Sequence, residues 1–327
     1  MTKDEALAIV NLHKTFLECL SKGDNNCDID SSKILSLLAS KIDESIKKLG
    51  SKQVFVRLSS RSAKDAPLLL PNFKKKVDFF LKSLKAANAN NNSNNSNNSN
   101  SNNNNNDDGK NFVLHALQAA SIAACAVENG KDALELLCRS KRIQDDLQSF
   151  VDGTLHINSN IDINNINSFK LCVREFKNFP LDFELRVFIY EKKLTAITQY
   201  NPYIFFPKLK ESKEKIETLV LNFVNRLLEK DAIPLSNFVL DLILLEKCKG
   251  DEQSHLLGSD VDIDNLSVLI VELNPFGEFA DSSLFSWLTD KPILMGKSDQ
   301  IEFRIVKDVQ SATPTESMAK DWQEFLE

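Results

Sequence analysis

The sequence predicts an α+β chain, and three observations point to it. Long stretches in the N-terminal half repeat apolar residues at helical spacing, as in 4–20 (DEALAIVNLHKTFLECL) and 72–87 (NFKKKVDFFLKSLKAA). Short β-branched runs bounded by polar residues recur in the C-terminal half, at 237–245 (NFVLDLILL) and 268–273 (VLIVEL). A polar connection between those two runs suits antiparallel neighbours.

Residues 4–20 predict an amphipathic helix with Leu7, Val10, Leu12, Phe16, Leu17 and Leu20 on one broad face. A turn at 23–30 precedes a second helix through Leu49, capped by Ser31 or Ser32. Both helices are expected to cover a sheet. Residues 54–58 (VFVRL) form a strand in which Arg57 is the outlier, followed by the polar loop SSRSAKDA. A guanidinium beside a Ser-rich loop suits phosphate oxygens, since its planar fork makes paired charge-assisted hydrogen bonds. The plainer reading of Arg57 is an edge-strand residue in a surface ion pair.

A helix with Phe73, Val77, Phe80 and Leu84 inward then runs into 88–106, almost pure Asn and Ser. Such a tract buries no apolar area and is expected to be a disordered surface insertion. Residues 112–138 read as two helices split at Gly130, and Arg139, Lys141 and Arg142 after them as solvated charges. Residues 151–168 read as a loop and 171–176 (LCVREF) as a strand. A hairpin around Glu191–Lys193 follows, with Leu185, Val187 and Ile189 facing inward and Arg186 on the opposite face. A helix spans 211–230, and the closing stretch is read as a strand at 301–306 and a helix at 313–327.

The candidate site lies in the two paired runs. Asp241 is the only charge in its apolar strand, and a buried acid is costly unless paired or on a metal. The run at 268–273 reads as a buried strand, and period-2 alternation sends Glu272 and Asn274 out of the same face just before Pro275 and Gly277. Antiparallel pairing would bring all three oxygen-bearing side chains to one point, a donor set suited to Mg²⁺. The alternative is a strand end whose Glu and Asn are solvated or cap the next turn.

Composition sets bounds. At 42% hydrophobic and 26% charged residues the chain is ordinary for a globular protein, and a net charge of −6 with no basic patch argues against a nucleic-acid binder. No apolar run approaches the roughly 20 residues of a membrane span, and no signal-peptide order is evident at the N-terminus. Cys19, Cys27, Cys125, Cys138, Cys172 and Cys248 show no ligand spacing and read as reduced thiols of a cytoplasmic protein. His13, His115, His156 and His255 carry no motif and read as structural or exposed.

Four blocks carry a resemblance. VELNPFGEFADSSLFSW (271–287) resembles the D-F-N-P-F-G-E-x-T-D-S-L-L-F-x-W signature of the cell division cycle protein 123 family. VFVRLSSRSAKDAP (54–67), FELRVFIYEKKLTAITQYN (183–201) and NFVLDL (237–242) are similar to further blocks of that family, in family order. The resemblance implies an ATP-grasp-like fold of two lobes with a nucleotide cleft between them. It implies an N-terminal lobe at 1–170, a C-terminal lobe at 171–327 with an antiparallel sheet, and binding of ATP with Mg²⁺. It further implies a chaperone role in assembling eukaryotic translation initiation factor 2, with that factor's γ subunit as partner. The expected metal ligands are Asp241, Glu272 and Asn274. The expected nucleotide-binding residues are those three together with Arg57, Arg186 and the hinge strand residues Arg174, Glu175 and Phe176.

The chain departs from the family pattern at several places, Ala63 for Pro and Leu185 for Phe among them. Glu272 stands where Asp is common, Arg57 where Lys is often found, and no counterpart of the family's longer N-terminal segment precedes residue 54. Two further readings therefore stay open. One is an ATP-dependent carboxylate–amine ligase, and the other a degenerate ATP-grasp module that keeps the fold with weakened ATP affinity.

Overall fold

The computed structural model describes residues 1–24, 32–94, 105–154, 169–246, 262–298, 300–312 and 322. Its contacts divide the chain into a first unit of Met1–Phe80 with Leu117–Lys177 and a second of Leu81–Ala116 with Asn178–Glu327. The boundary expected at 170 falls just before a strand, Leu171–Glu175, that pairs within the first unit.

The first unit is a three-stranded antiparallel sheet with helices against it. Helix α1 (Lys3–Ser21) starts in a capping box: the Thr2 hydroxyl accepts from the Glu5 amide at 3.1 Å, and the Glu5 carboxylate accepts from the Thr2 amide at 2.8 Å. Its buried stripe is Ala6, Ile9, Val10, Leu12, His13 and Phe16, whereas Leu7, Leu17 and Leu20 are exposed. The helix thus turns a narrower face inward than expected, one that follows the i, i+3, i+4 row through Ile9 and Phe16. Helix α2 (Lys33–Leu49) is capped by Ser32 and ends on Gly50 in the left-handed conformation.

Strand β1 (Val54–Leu58) is central, flanked by β2 (Ala126–Val127) and β3 (Leu171–Glu175). Helices α3 (Phe73–Asn94) and α4 (Asn105–Ala124) bracket the Asn-rich tract; helix therefore covers part of the stretch expected to be disordered, and 95–104 lies outside the described residues. Phe73, Val77, Phe80 and Leu84 are buried as the helical spacing requires.

Helix α5 (Gly130–Arg139) begins at the glycine expected to split the helices, and the reason is close approach. A Cβ on Gly130 would sit 2.1 Å from the Ala39 carbonyl oxygen of α2, while its amide donates to Asp43 at 2.7 Å. Helix α6 (Lys141–Asp152) follows directly. Val54, Val56 and Leu58 of β1 join Ile9, Phe16, Leu134, Leu137 and Ile143 of the helices in one buried cluster.

Arg139 corrects the sequence reading. It is fully buried rather than solvated: it donates to Glu135 at 2.7 and 3.1 Å and to the Leu69 carbonyl at 2.6 Å, and it stacks 4.4 Å above the Phe16 ring. Lys141 and Arg142 are exposed.

The second unit holds a five-stranded sheet, ordered β7 (Leu266–Pro275), β6 (Phe238–Glu246), β4 (Glu184–Tyr190), β5 (Lys193–Gln199) and β8 (Glu302–Arg304). Strands β4 (Glu184–Tyr190) and β5 (Lys193–Gln199) form a hairpin whose turn residues Glu191 and Lys192 both have positive φ. That geometry is held from outside, because Asn237 accepts the Glu191 amide at 2.7 Å and Ser236 the Lys192 amide at 2.9 Å. After α7 (Pro207–Glu211), helix α8 (Lys213–Glu229) packs on the sheet with Ile216, Val220 and Val224 buried.

Strands β6 (Phe238–Glu246) and β7 (Leu266–Pro275) pair antiparallel. A short helix α9 (Lys291–Leu294) precedes β8 (Glu302–Arg304), which makes the sheet's single parallel pairing, with β5. Strand β7 is an edge, not the buried strand expected: Leu269 and Leu273 are 45% and 46% exposed. Of the loop expected at 151–168, 151–152 close α6 instead and 155–168 lie outside the described residues, as do the connection at 247–261 and all but Trp322 of the closing helix.

Candidate functional site

Register assembles the candidate site in the second unit. Asp241 of β6 faces Glu272 of β7 on one side and Arg186 of β4 on the other, Arg186 faces Thr198 of β5, and Thr198 faces Arg304 of β8. Directly opposed residues share a face, so a polar rung crosses the sheet. The neighbouring rung, from Asn274 through Val239, Phe188 and Ala196 to Glu302, is apolar at its centre. Phe188, Val239 and Ala196 pack there under Ala280, Phe285 and Leu294, with Phe276 and Trp287 against them. Trp287 donates to the Ala280 carbonyl at 2.6 Å and meets Phe276 edge-on at 5.0 Å. Three aromatic residues of the 271–287 signature, Phe276, Phe285 and Trp287, thus roof the sheet beside the polar rung, while Phe279 is exposed.

A bulge sets which side chains meet. Asp241 opposes Glu272 but Leu242 opposes Ile270, leaving Val271 as the extra residue. Beyond it the alternation of β7 reverses, so Ile270 leaves Glu272's face and Leu269 joins it. Simple period-2 counting does not reveal this change, and bulges are a common means of aiming side chains near sites.

Asp241 is almost fully buried and its carboxylate is heavily engaged. Arg186 grips both oxygens, Nε to Oδ1 at 2.7 Å and Nη2 to Oδ2 at 2.9 Å, while the Asn274 side-chain amide donates to Oδ2 at 3.0 Å. A carboxylate only accepts, so the amide nitrogen must face it and the carbonyl oxygen of Asn274 is turned elsewhere. Arg186 also donates through Nη1 to the Asp281 carbonyl and lies 5.0 Å from the Tyr200 ring centre. Burial opposes its charge, but the Asp241 carboxylate outweighs burial and raises the guanidinium pKa above its ordinary value.

The Asp281 carbonyl is aimed by a pinned turn. Ser283 has φ of 52°, its amide donates to the Asp281 carboxylate at 2.9 Å, and its hydroxyl donates to the Gln199 carbonyl at 2.6 Å. Asp290 holds Arg304 at the far end of the rung with bonds of 2.7 and 3.0 Å. Nothing in the sequence pattern marked Thr198, Ser283 or Arg304.

Asp241, Glu272 and Asn274 therefore come to one place: Asp241 and Asn274 by direct hydrogen bond, Asp241 and Glu272 by register. Arg186 joins them, committed to Asp241. Two carboxylates are hard oxygen donors that fit Mg²⁺ or a similar cation, and the Asn274 carbonyl joins them once its side-chain amide turns over from its bond to Asp241. A carboxylate accepts about four hydrogen bonds, and Asp241 receives three, which leaves it room for a further partner. No group of three or more His, Cys, Asp and Glu gathers among the described residues. The fit rests on including the amide.

The remaining candidates lie in the first unit. Arg57 on β1 opposes Cys172, and Arg174 opposes Phe55 with its guanidinium 4.8 Å from that ring. Alternation places Arg57 and Arg174 on one sheet face, opposite the Val54, Val56 and Leu58 side chains that enter the core. The Arg57 side chain donates to the Leu58 carbonyl at 3.1 Å. Glu175 pairs with Lys177 at 2.8 Å, and the Phe176 amide donates to the Gln53 carbonyl at 3.0 Å. Glu175 closes β3, and Phe176 follows it within the first unit.

The remaining cysteines and histidines carry no cluster. His13 is buried and donates from Nδ1 to the Cys138 carbonyl at 2.7 Å. Cys19, Cys125, Cys138 and Cys172 form no disulfide, while Cys27, Cys248, His156 and His255 lie outside the described residues. No described helix is long and apolar enough to cross a membrane.

Comparison with known proteins agrees with the resemblance. The chain is 29% identical over 139 residues to a CDC123-like protein of Acanthamoeba polyphaga mimivirus, covering 42% of this chain and 38% of that one. It is 26% identical over 178 residues to the translation initiation factor eIF2 assembly protein of Vanderwaltozyma polyspora, covering 53% and 42%. The match thus spans less than half the length of either relative. Among solved structures, Cdc123 from Schizosaccharomyces pombe has a similar fold, with a TM-score of 0.51 and 19% identity over 82% of this chain and 76% of that one. The ATP-grasp-like α+β fold expected from the sequence agrees with that likeness. The D123 family model matches residues 116–325, well over half the sequence. The chain belongs to the D123 family.

Proposed function

We propose that the chain binds ATP with Mg²⁺ and acts as an assembly factor for translation initiation factor 2, its γ subunit being the partner. The observation that carries the nucleotide reading is the rung itself: Asp241 opposite Glu272, with Asn274 hydrogen-bonded to Asp241 at 3.0 Å. The assembly reading is supported by membership of the D123 family and by the names of the relatives it matches.

In this reading Asp241, Glu272 and Asn274 hold the cation. Bound Mg²⁺ would supply charge neutralisation for the nucleotide's phosphates. Arg186 fixes the Asp241 carboxylate in one orientation, so a cation meets a preorganised oxygen rather than a rotating one. Arg57 and Arg174 lie on the sheet face turned away from the first unit's core, which supports their assignment to the nucleotide. The backbone of Glu175 and Phe176 is assigned to the adenine edge.

Calorimetric titration of ATP with Mg²⁺ tests the reading. The intact chain should bind, and Glu272→Gln, on a partly exposed edge strand, should fold normally yet bind at least about tenfold more weakly. No heat at millimolar ATP from folded protein would overturn the nucleotide site. Tagged chain should also retain purified γ subunit of the initiation factor, and failure with either nucleotide state would overturn the partner. Release of ADP and phosphate with a carboxylate substrate would instead support a ligase.

A further inference from the structure

The guanidinium expected to face a phosphate is committed elsewhere. Both oxygens of Asp241 are bound by Arg186, whose third contact is the Asp281 carbonyl, and Arg186 is itself buried. Facing this pair are Glu272 by register and the Asn274 amide on Asp241 Oδ2. The formal charges of the rung's inner members are therefore two carboxylates against one guanidinium.

We propose that Arg186 is a resident counter-cation, a positioning residue that competes with a divalent metal for Asp241. The inference rests on the cation site proposed above and adds its selectivity. A bare divalent ion entering a site of net charge −1 leaves net +1 beside a buried guanidinium, which is unfavourable where water is scarce. A metal that arrives carrying polyphosphate oxygens brings the compensating negative charge with it. Arg186 thus makes the site discriminate against the free ion and in favour of the metal–polyphosphate complex. It also keeps Asp241 paired when nothing is bound, so the sheet does not depend on a cation for its integrity.

The experiment titrates Mg²⁺ alone, and then Mg²⁺ with tripolyphosphate, into the full chain and into Arg186→Gln, reading Kd by calorimetry and Tm by thermal melting. The proposal expects weak binding of bare Mg²⁺ by the parent. Arg186→Gln should bind bare Mg²⁺ about tenfold or more tightly, as befits removal of a close competing charge, and should gain more in Tm from it than the parent does. Bare-metal affinity unchanged or lowered in Arg186→Gln, with polyphosphate binding lost, would overturn the proposal and make Arg186 a phosphate ligand while leaving the cation site standing. No response of the parent or the variant to Mg²⁺ in either form would overturn both. Should Arg186→Gln not fold, Arg186→Lys serves. Its single ammonium keeps the charge but cannot span both Asp241 oxygens, so an intermediate gain in bare-metal affinity is expected and parity with the parent would refute the competition.

Discussion

Asp241 shows how one residue carries both a fold and a site. Buried with three donors on its two oxygens, it neutralises a buried guanidinium. Asp241→Ala leaves Arg186 buried and uncompensated, and breaking a buried pair from one side costs about 3–5 kcal/mol. Chemical denaturation should show that loss for Asp241→Ala. Replacing both partners together, as Arg186→Met with Asp241→Leu, should recover much of it; if the double variant is as unstable as the sum of the singles, the pair is not the dominant contact of either residue.

A second buried pair in the same unit has no such satisfaction. His115 Nε2 and Asp182 Oδ1 lie 3.9 Å apart, and neither has a hydrogen-bond partner among the described residues. Burial pushes the His115 pKa down to about 4 and the Asp182 pKa up to about 6, with Lys208 opposing the latter. Between those values the folded protein holds its proton on Asp182, while the unfolded chain holds one on His115. The proton counts match, so the pair adds little pH dependence between about 4 and 6.

Single variants unmask the two opposed effects. In Asp182→Asn only His115 titrates, and the unfolded state then binds more protons below its ordinary pKa. Stability should fall from about pH 6.5 toward 4, by on the order of 2 kcal/mol at pH 4.5. In His115→Asn only Asp182 titrates and the sign reverses: stability should rise as pH falls through 6. Urea midpoints across this range check both, and parallel profiles for the two variants would show that the groups do not titrate as described.

At the scale of elements the sequence was readable where a single periodicity governed. Strand β1 and the β4–β5 hairpin follow from residues whose local pattern and tertiary role agree. Strand β7 shows where such reading stops. Its apolar composition suggested burial on both faces, yet edge position in the sheet is a property of strand order, which no local window contains. The bulge at Val271 is equally invisible, although it decides that Leu269, not Ile270, shares Glu272's face. The meeting of Asp241, Glu272 and Asn274 was legible because Glu272 and Asn274 both lie on the near side of that bulge. Arg186 was placed on the correct face, but its partner depended on the register between β4 and β6. Arg139 was misjudged because its neighbours in sequence are exposed charges, and its burial comes from Phe16 and Leu69, far along the chain.

Helix contacts yield their own test. Gly130 opens α5 against the α2 backbone, where an added methyl group would meet backbone rather than a movable side chain. Gly130→Ala must therefore separate α2 from α5 or distort the Asn129 cap. Thermal melting should show a loss of about 1–3 kcal/mol, the usual range for overpacking, against the gain that Gly→Ala gives at an unhindered helical position. A stabilised Gly130→Ala would mean that the two helices are not in contact at that point.

For the molecule as a whole, each unit has a buried cluster of its own among the described residues. The first gathers α1, α2, α5, α6 and β1, and the second lies on the Phe188 face of the five-stranded sheet. Composition could not reveal this division, because two of its three boundaries fall inside α3 and α4, and the third, between Lys177 and Asn178, follows soon after β3. Separate cores predict local consequences. Leu134→Ala opens a cavity in the first cluster and should cost about 2–5 kcal/mol there. Hydrogen exchange read by mass spectrometry should then show faster exchange in β1, α2 and α5, with β4 and β6 keeping the protection of the parent. Val239→Ala, in the second cluster, should give the reverse pattern. If either variant lowered protection uniformly across both sets of strands, the chain would be a single cooperative unit, and the stability of the Asp241 rung would then depend on every core residue in the chain rather than on those of its own sheet.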